Sequence, residues 1–348
     1  MTEVAIDSAV LERLIFALAQ FGAYGGTGVR RTVYSAEWLA ATKAFAQWCR
    51  EAGLAVHNDA VGNVWGKLVG SESTSSIVSG SHIDTQTPGG RYDGALGAVG
   101  GLIAIKSLHE QFGQPRRSLE VVAFCEEEGS RFPKANFWGS RAVTGSIASS
   151  EPELVRDFET KSIADAMLGV GLDPKRISEA RRKDIDYFLE LHIEQGPILE
   201  AENSAVGIVT AITGLRHYLI ELEGTANHAG AFPMDARRDP MAGFAEIATT
   251  VIDRAAKWGR PAVTTVGRVL VEPNFPAIVP EKVTFMIDVR HPNPDEGKRL
   301  YDAHEATIRE VAARRGLGVR VEVLEDQPAT ICHRDLVVAI EEAAERQI

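Results

Sequence analysis

The sequence predicts an α/β protein, with one domain built on a central, mostly parallel sheet and a second, ferredoxin-like α+β domain inserted into it. Three observations point there. At 348 residues the chain is longer than a single hydrophobic core usually serves. Its first two hundred residues alternate strand-like and helix-like apolar patterns, the βαβ rhythm of a parallel sheet covered by helices. From Gly214 the rhythm becomes β-α-β-β-α-β over about 110 residues, the split βαβ arrangement. The expected boundaries are 1–213 for the first domain, resumed at 328–348, and 214–327 for the inserted one.

Taken in order, residues 7–20 and 35–52 carry apolar residues at helical spacing, and Ser35 suits an N-cap. Strand-like runs follow at 61–69, at 77–84 ("IVSGSHID") and at 118–125 ("SLEVVAFC"), the last two separated by the helix-like "GALGAVGGLIAIKSLHEQ". "GSESTSS" at 70–76 is a loop by composition. In such sheets, sites form at the carboxyl ends of strands, where "SHID" and "CEEEG" both lie. Farther on, "RHYLIELEG" reads as a strand, and Asp239 with Pro240 opens a helix running to Trp258. "AVTTVGRVLV" and "KVTFMIDVR" read as strands, Pro294 to Arg315 as a helix, and "GVRVEVLE" as the last strand. The helical run from Asp335 reaches residue 348 without a capping signal, so we expect a chain that continues beyond it.

A net charge of −11 argues against nucleic acid and leaves small molecules and metal cations as partners. No apolar stretch approaches the roughly 18 residues of a membrane span. The acidic, amphipathic N-terminus lacks a secretory signal, so a cytoplasmic location is expected. Cys49, Cys125 and Cys332 have no CxxC spacing and read as ordinary reduced thiols.

Chemistry concentrates at the strand ends. His82 and Asp84, two apart, point the same way, which suits a ligand imidazole oriented by a carboxylate, or simply a capped strand end. Asp93, in the glycine-bounded "GGRYDGALG", is either a helix N-cap or a carboxylate bridging two cations. Glu126, Glu127 and Glu128 follow a buried-looking strand. There, like charges are unfavourable unless cations offset them, and adjacent glutamates can divide into metal ligand and general base. The alternative is a solvated loop. His192, in "FLELHIEQGPILE", is a packed histidine or a ligand. His228, in "GTANHAGAFP", is a turn residue or a donor to an oxyanion. Arg290 can pair a carboxylate bidentately, and Asn274 can serve as a turn former between prolines. Together, His82, Asp84, Asp93, Glu127, Glu128 and His192 form the set a two-metal hydrolase needs.

These motifs, "GSHIDT", "GGRYDG", "EEEGSRF", "HIEQGP", "NHAGAFPMDARRD" and "PNFPAIVP" followed by "DVRH", resemble the hydantoinase/carbamoylase amidases of the M20-type metallohydrolases. The resemblance implies a homodimeric enzyme that cleaves the ureido C–N bond of N-carbamoyl-L-amino acids or of ureido acids such as allantoate. It implies two divalent ions, zinc or manganese, with cobalt or nickel as alternatives. Asp93 would bridge them, with His82 and His192 on one ion and Glu128 on the other. Glu127 would be the general base and Asp84 the orienter of His82. His228 would reach the partner's site, Gln195, Asn274 and Arg290 would bind substrate, and the inserted domain would serve as a dimerisation lid. The family's Gly-His-Asp motif, which completes the second site, is absent from the 348 residues, so that site is expected to be incomplete. His57, His109, His217, His291, His304 and His333 have no matching context and read as structural or surface residues. The competing readings are an M20-type aminoacylase or dipeptidase, or a dimeric remnant without catalysis.

Overall fold

The computed structural model of the chain describes residues 4–72 and 75–346. The chain divides into two compact units, Met1–Gly196 and Pro197–Ile348.

In the first unit, α1 (Ser8–Ala19) starts at Asp7, whose carboxylate accepts from the Val10 amide, and α2 (Ala36–Glu51) starts at Ser35, whose hydroxyl accepts from the Trp38 amide. β1 (Ala55–Asn58), β2 (Val64–Leu68), β3 (Ser76–His82), α3 (Ala95–Phe112), β4 (Ser118–Phe124), α4 (Trp138–Thr144) and β5 (Ile185–Leu189) follow. The five strands form one sheet in the order β1-β2-β4-β3-β5. Here the structure corrects the expected mostly parallel sheet. β3 pairs in parallel with β4 and β5, but β2 pairs antiparallel with both β1 and β4. The reason lies in the connections. β3 and β4 are joined through the covering helix α3, which permits parallel pairing, whereas β1 and β2 form a hairpin, which must run antiparallel. β3 and β4 are buried almost throughout, as strands covered on both faces should be. One core gathers α1, α2 and α3 against the sheet around Leu18, Phe45, Leu102 and Val121, and a second surrounds Trp38, Phe132, Trp138 and Met167.

The second unit contains the expected β-α-β-β-α-β run: β6 (Gly214–Glu223), α5 (Pro240–Trp258), β7 (Val263–Glu272), β8 (Lys282–His291), α6 (Pro294–Arg314) and β9 (Gly318–Gln327). Its sheet order is β7-β8-β6-β9 with every neighbour antiparallel, the ferredoxin-like topology. Tyr218, Ile220 and Leu222 alternate with half-buried positions along β6 and pack with Phe285 and Ile287 of β8 against Ile247, Leu300 and Ile308. Among the described residues, no helix is long and apolar enough to cross a membrane.

Candidate metal centre

β3 and β4 end side by side, with His82 opposite Phe124, so the residues that follow them leave the same edge of the sheet. Asp84 ties the two exits together. Fully buried, it accepts from the Glu127 amide through Oδ1 at 3.3 Å and from the Glu128 amide through Oδ2 at 3.2 Å. Its main-chain oxygen lies 3.0 Å from His82 Nδ1, nearer than its carboxylate at 3.8 Å. His192 Nδ1 likewise sits 3.0 Å from the Ile193 carbonyl. A carbonyl only accepts, so in each neutral ring Nδ1 carries the proton and Nε2 presents a lone pair.

The two Nε2 atoms face Asp93, whose Oδ1 is 3.9 Å from His82 and 3.3 Å from His192. One ligand atom from each of His82, Asp93 and His192 lies within 4.8 Å of the others. Glu128 Oε1 is 4.0 Å from His82 Nε2. Gly94 makes the approach possible: its φ is +65°, and a Cβ there would stand 2.5 Å from three atoms of the His82 ring.

Three glutamates leave β4, and their surroundings differ. Glu126, at φ +51°, is fully buried, and its Oε1 accepts from the Arg131 and Phe132 amides at 3.1 and 2.6 Å. Glu127 accepts from the Ser140 amide at 2.8 Å and from the Ser140 hydroxyl at 2.9 Å. Glu128 takes both contacts of the Gln86 amide group, 2.7 Å at Oε2 and 3.1 Å at its main-chain oxygen. Burial, with the Asp84 charge added, pushes the Glu126 carboxyl up to about 8. Burial pushes Glu127 up to about 7 against the opposing Ser140 amide. At His82, burial pulls the imidazole down, but Asp84 and Glu128 outweigh it and the net shift is upward. All three shifts express one imbalance, crowded negative charge at low dielectric that recruits positive charge.

Gln195, at φ +57°, donates to both Asp93 oxygens at 3.1 and 3.0 Å. Thus His82, Asp84, Asp93, Glu127, Glu128, His192 and Gln195 come together within the first unit. His228, Asn274 and Arg290 belong to the second. His228 is exposed, pairs with Ile278 across a short ladder, and accepts the Gly230 amide at Nδ1, which leaves Nε2–H as an outward donor. Asn274 is exposed at φ +54°. Arg290 grips Asp288 through Nε and Nη2, at 3.0 and 2.8 Å, and Asp288 also lies 3.2 Å from His217.

The sequence profile of Peptidase family M20/M25/M40 matches residues 78–348, which include every one of these positions. The chain belongs to this family. Among its M20 relatives, the allantoate amidohydrolase of Escherichia coli is 38% identical over 97% of this chain and 82% of its own length. The N-carbamoyl-L-amino acid amidohydrolase of Geobacillus stearothermophilus is 37% identical over 98% of this chain and 82% of its own. A crystal structure of a hydantoinase/carbamoylase family amidase from Burkholderia ambifaria superposes with a TM-score of 0.90 at 32% identity, covering 99% of this chain and 84% of that one.

A divalent cation fits the donor set of this M20 chain. Two imidazole lone pairs and a carboxylate converge, the cradle is cleared by a glycine, and the adjoining carboxyls resist ionisation without a counter-charge. Sequence reasoning singled out the glycines flanking Asp93, of which Gly94 is one, but missed Gln86 and Ser140. Gln86 was legible only as a neighbour of "SHIDT", and Ser140 only as a small polar residue entering a short helix.

Proposed function

We propose that this chain is a cytoplasmic, homodimeric amidohydrolase that holds two divalent cations, zinc or manganese, and hydrolyses the ureido C–N bond of a small carboxylated compound. An N-carbamoyl-L-amino acid or allantoate is the substrate class. What carries the reading is the pairing of bare imidazole nitrogens facing Asp93 with a neighbouring glutamate of raised pKa, in a chain whose relatives are named for these reactions. When bound, the cations supply Lewis-acid polarisation of the carbonyl and acidify water. His82, Asp93, His192 and Glu128 hold them. Glu127 takes the proton of the attacking water and returns it to the leaving nitrogen, a task suited to a carboxyl titrating near neutrality. His228, through its outward Nε2–H, donates to the developing oxyanion, from the partner subunit by the family pattern. Arg290 takes the substrate carboxylate with the guanidinium edge that Asp288 leaves open, and Asn274 and Gln195 bind substrate as the family pattern implies. The span 214–327 acts as the dimerisation lid.

The test is ammonia release by the manganese- or zinc-loaded protein from a panel of N-carbamoyl-L-amino acids, allantoate and acyl-amino acids. Release from a ureido compound, with acyl-amino acids untouched, is expected. E127Q should lower kcat by about 10²–10⁴-fold, the span of a lost general base, while still binding metal. Hydrolysis of acyl-amino acids alone, or full activity in E127Q, would overturn the assignment.

A further inference from the structure

Glu127 and Glu128 are identical side chains on consecutive residues at one buried strand end, yet the proposed reaction needs them to do different work. We propose that Ser140 and Gln86 are the positioning residues that sort them, Ser140 holding Glu127 as the base and Gln86 holding Glu128 as a one-oxygen metal ligand. This rests on the functional reading above.

The contacts divide cleanly. Ser140 occupies both Glu127 oxygens, 2.8 Å from amide to Oε1 and 2.9 Å from hydroxyl to Oε2, which fixes the plane of the carboxylate. Ser140 itself is held in place by main chain. The Phe137, Trp138 and Gly139 amides donate to the carbonyls of Glu127, Glu126 and Cys125 at 3.3, 3.1 and 2.8 Å, lacing the start of α4 onto the end of β4. The seat admits little movement, since a Cβ on Gly139 would meet Asn63 Oδ1 at 2.3 Å and the Cys125 amide at 2.7 Å. Glu128 is treated differently. Gln86 Nε2 pins Oε2 and the main-chain oxygen, while Oε1 stays turned toward His82 Nε2 at 4.0 Å. One oxygen is tied back and the other offered.

Both clamps are neutral. A lysine or arginine in either place would orient a carboxylate equally well, but it would cancel the negative charge that draws a cation. Two arginines that act on this cluster are engaged elsewhere: Arg131 with Asp157 and the Val33 carbonyl, and Arg31 with the carbonyls of Leu18, Phe21 and Ile83. Charge is left for the metal, and direction comes from an amide and a hydroxyl.

The experiment crosses two variants with two readouts, calorimetric titration of the metal-free protein with Mn²⁺ alone and ammonia release at saturating Mn²⁺. Q86A should weaken Mn²⁺ binding by about 10–100-fold, the usual effect of losing a hydrogen-bond partner of a ligand, and regain wild-type kcat once saturated. S140A should bind Mn²⁺ as the wild type does, keep its KM, and lose about 10–100-fold in kcat, within the range of a misplaced general base. S140T, which keeps the hydroxyl, should recover most of that loss. A merely structural pair of residues would not give this crossed pattern. Wild-type Mn²⁺ affinity in Q86A overturns the sorting, as does wild-type kcat in S140A or a loss of Mn²⁺ binding in S140A. Silence of the wild type toward every ureido compound overturns the reaction assignment instead. The titrations still decide the sorting in that case, because a loss in Q86A and none in S140A is required without turnover.

Discussion

At the scale of single residues, His304 shows how far a partner can fix a proton. It is fully buried in α6, with Nδ1 3.3 Å from Arg254 Nη1 and Nε2 3.0 Å from the Thr264 hydroxyl. A guanidinium only donates, so Nδ1 accepts and Nε2–H donates to Thr264, and the ring is neutral. Burial, aided by Arg254, pulls its pKa down to about 4. As pH falls, the unfolded chain therefore takes up this proton first. The stability is fully present above about pH 6.5 and drains by up to about 3 kcal/mol toward pH 4. Urea unfolding should show that loss in the wild type and a smaller pH slope in H304Q; equal slopes would refute the assignment. Residue by residue, the sequence exposed side chains that stand at strand ends beside glycines, such as His82 and Asp93. It did not expose Gln86 or Ser140, because their partners lie 42 and 13 positions away and only the folded chain brings them together.

At the scale of elements, the glycines of α3 set how closely helix and strand approach. A Cβ on Gly97 would stand 2.3 Å from the Leu191 carbonyl and 2.7 Å from Ser81 Cβ, and one on Gly101 would stand 3.1 Å from Ser79 Oγ. α3 therefore lies directly on β3 and against the segment that carries His192. G97A should cost about 1–3 kcal/mol by overpacking and weaken metal binding with it, because the displaced carbonyl belongs to Leu191, the residue next to His192. A thermal midpoint and Mn²⁺ affinity equal to the wild type would contradict this. The alternation of β6 and β8 and the caps of α5 and α6 are strictly local signals, so the ferredoxin-like run was readable in advance. Strand direction is not local. Whether 64–68 runs with or against 118–124 depends on which neighbour it finds, and apolar periodicity is silent on that.

At the scale of the molecule, the acidic balance and the buried carboxylates mean that the proposed cation would be part of what holds the first unit together. A ligand that binds only the folded state adds about 2.7 kcal/mol at a hundredfold excess over its Kd. For a unit of this size that moves the midpoint by about 5–10 °C. Calorimetry with and without EDTA should show the transition that carries Met1–Gly196 rising on Mn²⁺ addition, and a midpoint indifferent to Mn²⁺ would argue against the site. The anchoring of His82 and His192 has a separate consequence. Both rings are oriented by main-chain carbonyls rather than by side chains. Mutational drift can replace Ile193 by another residue without turning the imidazole beside it, since what holds the ring is an atom every amino acid possesses.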